Sequence, residues 1–323
     1  MKRTLALLLV TAIAIFFWVL IESPLRAADG SSGISLFYAQ VSFPAALGLL
    51  LAGGLVPFVL CVAIGCWGNP LRGVFAMCLS LTVLGHRGGG MANWLRTHDL
   101  PGAYAVLMVE LVVWALLLGA LVAAIHLART HLARRLPMLP WGHSRYQPLW
   151  RADWDTLGGG LTTAGIGAVM VWFILQTPDV GQVTWGLGLS FLIAGFAGHY
   201  IWPAAAPVGL VAAPLLVGLG GYGAAIILYR GSEQVLAAFY AGQFHGHAMA
   251  LPIHYVSAAL VGTLLGVAWR QVLAESEKTA GNASSPQEAG SRTPAPSGPD
   301  AGQSPSSPGN SPPPRTSQAP PQA

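Results

Sequence analysis

Eight blocks of about twenty mostly apolar residues lie along this chain, each long enough to cross a hydrocarbon layer of about 30 Å. They fall at roughly 4–21, 45–66, 73–95, 101–126, 159–176, 184–203, 207–229 and 251–273. The apolar residues are not spread with helical or strand periodicity around a water-facing core. Residues are 54% hydrophobic and only 9% charged, as suits a chain whose solvent is largely lipid. The expected fold is an all-α, polytopic integral membrane helix bundle of about eight transmembrane helices. The third block is the weakest, because its continuous apolar part stops at Leu84.

Basic residues set the expected orientation. With the N-terminus inside, twelve of the 16 lysines and arginines fall on the inner side, leaving Arg26, Arg87, Arg96 and Arg230 outside. Both termini are therefore expected in the cytoplasm and the chain in the cell membrane. The first block is longer than the apolar region of a cleaved signal, about 7–15 residues, and Leu25 and Arg26 spoil a small-x-small site, so it reads as a retained anchor. Clustered charge of the kind that grips nucleic acid is missing. The three cysteines lie in apolar blocks without CxxC spacing and read as packing residues.

Four regions follow: an N-terminal four-helix half (1–126), a basic Trp/Arg-rich cytoplasmic loop (127–158), a C-terminal four-helix half (159–274) and a tail (275–323). The loop sets Trp141, Trp150 and Trp154 beside Arg145 and Arg151, a composition drawn to anionic lipid at the inner face. Eleven of the 24 prolines lie in the tail, which is expected to be disordered and could offer "SPPPR" to a protein partner. Two matches link the halves: "WVLIESP" (18–24) with "WFILQTP" (172–178), and "LPGAY" (100–104) with "LPIHY" (251–255). Their offsets of 154 and 151 suggest a 4+4 parallel duplication.

Two groups of residues could carry chemistry. "GHRGGGMANW" (85–94) puts His86 and Arg87 about 20 Å into the third block, counted from Gly73. Glu110, nine residues into the fourth block, comes to a similar depth. An isolated charge there is costly, so Arg87 and Glu110 are expected to pair, with Gly88–Gly90 marking a loosened helix. The alternative is a helix that ends at Gly85, with Glu110 a protonated helix contact. The second group is His245, His247 and His254 in "GQFHGHAMALPIHY" (242–255), which with His86 and His98 makes five of the nine histidines on the outer side. They could ligate a metal, but no HExxH or haem-attachment spacing accompanies them. A bis-histidine haem through His126 and His199 is a further alternative. Ser190 and His199, nine residues or about 13 Å apart on one helix, cannot form a catalytic dyad.

The leading reading is a non-enzymatic transporter- or channel-like protein with a polar site of His86, Arg87 and Glu110 in its outer half. A metal- or haem-binding membrane protein and a scaffold recruiting partners through its tail are the alternatives.

Overall fold

A computed structural model describes residues 2–28, 33–67, 69–91, 94–95, 101–135, 153–229, 232–241, 243 and 245–284. His98, most of the Trp/Arg-rich loop (136–152) and the Pro-rich tail beyond Ser284 lie outside these residues. The helices are α1 (Lys2–Leu25), α2 (Phe43–Cys66), α3 (Leu71–Arg87), α4 (Pro101–Arg135), α5 (Trp154–Ile174), α6 (Val180–Ile201), α7 (Pro207–Leu228), α8 (Ser232–Tyr240) and α9 (Leu260–Ser284). A turn at Pro252–His254 and a π-helical stretch, Tyr255–Ala259, lead into α9. Residues Met1–Glu277 form one compact unit.

The described chain is all-helical apart from two isolated bridge pairs, Arg26 with Ile34 and Ala27 with Ala39. Seven helices are long and apolar enough to cross a membrane: α1, α2, α4, α5, α6, α7 and the Pro252–Glu277 segment. The third expected block is different. Instead of running to residue 95, α3 stops at Arg87 after 17 residues, about 26 Å of rise. The fourth helix continues to Arg135 and so takes up the start of the expected loop.

Proline and polar caps set the ends where the sequence allows. Proline stands in the first turn of α2 and of α7, where its missing N–H costs nothing. Asp153 caps α5 by accepting from the Thr156 amide at 2.9 Å. Large apolar side chains face outward on α1, α2, α4, α5 and α7: Leu5, Phe16, Leu55, Leu116, Phe173 and Ile227 are all more than half exposed. Surface of that extent needs an apolar solvent or partner.

Helix α1 packs on α2 and α3, and α5 packs on α6 and α7. The two groups are joined by α4 against α7 and by the 255–259 segment against α3 and α6. Tyr104 and Tyr255, the tyrosines of the two LPxxY matches, flank one ring, Tyr222, at 6.2 and 6.1 Å. Their depth in the core is set by those contacts, since all three are fully buried.

Candidate functional site

His86 and Arg87 end α3, and Gly88 to Gly90 follow. Gly88 closes the helix through its amide to the Leu84 carbonyl at 2.9 Å, and Gly89 takes φ 90°, which favours glycine. A Cβ on Gly90 would lie 2.7 Å from the Pro178 carbonyl oxygen, and one on Gly88 would collide with Ile34. The glycines thus allow a buried turn against neighbouring backbone and side chains. His86 and Arg87 emerge from it onto the surface.

Arg87 does not pair with Glu110. Its Nε donates to Glu22 Oε2 at 2.8 Å, and Arg26, one turn beyond Glu22, bonds the other carboxylate oxygen. Glu22 is 3% exposed while both guanidinium groups reach the surface. The expected partner was wrong because the end of α1, which carries Glu22, meets the end of α3 where Arg87 leaves it. Sequence reading placed Glu22 beyond the end of the first block, although its spacing from Arg26 (i, i+4) is a recognisable ion-pair signal.

Glu110, fully buried on α4, is held by a different set. Ser35 Oγ–H donates to Oε2 at 2.6 Å. The Leu36 amide donates to Oε1 at 3.2 Å, and the Trp114 indole N–H, one turn on, donates to the same oxygen at 3.3 Å. Two of the three donors come from the connection between α1 and α2. That connection folds back on itself: the Ala27 amide reaches Gly33 O at 2.9 Å, Ala28 reaches Tyr38 O at 3.0 Å, and Gln40 reaches Arg26 O at 2.9 Å. The result carries Ile34, Ser35 and Leu36 into the bundle, each at most 1% exposed. Buried carboxylates need this kind of provision, since an unmatched one loses its hydration without return. Ser35, Leu36 and Trp114 were not singled out from sequence. A lone serine in a Gly/Ser-rich connection carries no signal of the helix it will meet.

An aromatic row runs inward from the same connection. Tyr38 meets Trp94 at 5.8 Å, Trp94 meets Tyr104 at 6.1 Å, and Tyr222 and Tyr255 follow. At its inner end Tyr222 donates to Ala250 O at 2.5 Å and Tyr255 to His247 O at 2.6 Å.

The three histidines of 245–254 are engaged separately. His245 Nδ1 lies 2.7 Å from the Tyr229 hydroxyl, and His247 Nε2 donates to Ala168 O at 2.8 Å. His254 Nδ1 accepts from the Leu251 amide at 3.2 Å, which puts its ring proton on Nε2, facing Gly85 of α3. Burial and the neighbouring His245 hold the His247 imidazole below its usual pKa, with the Ala168 bond opposing them in part. Burial raises the Tyr229 phenol, offset in part by its His245 contact. Among the described residues no three His, Cys, Asp or Glu side chains gather as a metal site would require. The metal set expected from His245, His247 and His254 is therefore not assembled: His245 Nδ1 meets a tyrosine, His247 Nε2 a backbone carbonyl and His254 Nδ1 a backbone amide, and the three rings do not converge.

No family model, no curated protein and no solved structure matches this chain.

Proposed function

We propose that this is a multi-pass membrane protein of transporter type whose working group is Glu110, enclosed by a closing segment, residues 26–42. One observation carries the reading: two of the three donors on a fully buried carboxylate come from an interhelical connection. Such a segment can withdraw without unpacking the helices, leaving Glu110 open to a proton or cation. Ionisable groups within membrane-crossing helices are costly and ordinarily serve transport or binding. Glu22, Arg26 and Arg87 would latch the segment at its base, with His86 beside the latch.

The basic bias favours both termini in the cytoplasm of a cell-membrane protein, with the Glu110 site in the outer half. The 127–158 loop would lie on anionic lipid headgroups, and the tail would be left to recruit a protein partner. The like packing of α1–α3 and α5–α7, with one LPxxY tyrosine from each half on Tyr222, supports the 4+4 parallel duplication.

The test is chemical. An apolar carbodiimide adds to a protonated carboxyl group buried in lipid, and peptide mass spectrometry locates the adduct. Glu110 should be modified in the folded, lipid-embedded protein, more at acid than at alkaline pH, and Glu110→Gln should remove that adduct alone. A folded protein whose Glu110 stays unmodified from acid to alkaline pH overturns the reading.

A further inference from the structure

Beside Glu110, but separated from it by Trp114, lies a cavity of about 340 Å³ between α1, α2, α3 and α4. Its inner wall is Trp18, Met77, Leu81, Trp114 and Val256, all buried. Its mouth is formed by Leu51, Leu55 and Ala120, which are exposed on the apolar outer surface of α2 and α4.

Every lining residue is apolar or tryptophan, and both indole N–H groups are committed elsewhere. Trp18 donates to Ser80 Oγ at 3.0 Å and Trp114 to Glu110 at 3.3 Å. A polar ligand would find nothing to bond, and water does not fill apolar cavities of this kind. Left empty, the space would forfeit packing on a scale that matters to a whole domain. Its volume is within the range of small-ligand pockets, about 300–1,000 Å³. The mouth opens sideways, between leucines that face outward from a helix apolar enough to cross a membrane.

From these features we infer that the cavity is a binding site for one acyl chain of a bilayer lipid, entering past Leu51, Leu55 and Ala120. The inference rests on the bundle being embedded in a membrane. The chain lies against the face of Trp114 whose edge holds Glu110, so the occupant buttresses the carboxylate's indole donor.

The experiment uses the full chain in vesicles of phosphatidylcholine doped with a phospholipid carrying a diazirine in its acyl chain. After illumination, adducts are mapped by mass spectrometry. Adducts are expected on Met77 and Leu81, which lipid on the outer surface cannot reach, as well as on exposed Phe173. Ala120→Phe, at an exposed position, should plug the mouth and lower the Met77 and Leu81 adducts at least fivefold, leaving Phe173 labelled. Perimeter labelling with no Met77 or Leu81 adduct, or inner adducts unchanged by Ala120→Phe, overturns the site while leaving the Glu110 proposal standing. Absence of adducts from Phe173 as well overturns the membrane reading and with it both proposals.

Discussion

Arg87 and Glu22, 65 positions apart, are joined by a 2.8 Å hydrogen bond that ties the end of α3 to the end of α1. The carboxylate is buried and the guanidinium half exposed, so the loss of either partner has unequal effects. Arg87→Ala leaves Glu22 with Arg26 alone, and a buried charge stripped of a partner costs about 3–5 kcal/mol. Because Arg26 remains and both guanidinium groups reach water, the expected loss falls below that scale, about 1–2 kcal/mol. Glu22→Gln should cost less, and the double variant should be no less stable than Arg87→Ala. Thermal unfolding in detergent checks this. Strictly additive losses would mean that the two residues do not act as a pair.

Ser35 is the short donor to Glu110 and is only 1% exposed. In a background with Cys61, Cys66 and Cys78 replaced by alanine, Ser35→Cys reports whether the segment opens. A membrane-impermeant thiol reagent added from outside should label it slowly in the folded protein, and faster when Arg87→Ala releases the latch. If label enters only after unfolding, the segment is a fixed plug rather than a closing one. Ser35→Ala, which leaves Glu110 with two donors, should lower stability by about 1–3 kcal/mol.

The helical plan was legible because runs such as Leu5–Ile21 and Leu47–Cys66 are apolar all round, and length alone then limits what they can form. Glu110 was legible as well, being an acid deep in an apolar run. Its partners were not. Periodicity reports which face of a helix is buried and says nothing about a connection that doubles back, so Ser35 and the Leu36 amide had no signature. Arg87 was assigned to Glu110 on depth alone, and depth carries no angular information about which neighbour a helix faces. The His-x-His spacing was a weaker guide still. His247 is turned to a carbonyl of α5 by packing against Gly221, a contact no local pattern encodes.

Gly262 and Gly266 make α9 fit α6. A Cβ on Gly262 would collide with the Gly188 carbonyl, and one on Gly266 with the Leu192 carbonyl. Small residues four apart let membrane helices approach this closely. Gly262→Val and Gly266→Val should each abolish a monodisperse peak on size-exclusion chromatography in mild detergent, whereas Gly220→Val, where a Cβ meets nothing within 4 Å, should keep it. Equal tolerance at all three positions would show that the helices are not in this contact.

His247 predicts how the 245–254 segment responds to acid. Its folded-state pKa is held below the ordinary 6.5, chiefly by burial, so the unfolded chain binds the proton first as pH falls. Where the unfolded state binds more protons, stability rises with pH. Its effect is nil well above pH about 6.5, and it becomes increasingly destabilising below that until the folded imidazole also protonates. Because Nε2 donates to Ala168 O, His247→Gln keeps a donor while removing the titration. Between neutral and mildly acid pH the wild type should therefore lose more Tm than His247→Gln, other groups being common to both. Identical slopes in the two proteins would place the acid response elsewhere. A steeper slope in the variant would reverse the sign and mean that the folded chain prefers the charged imidazole.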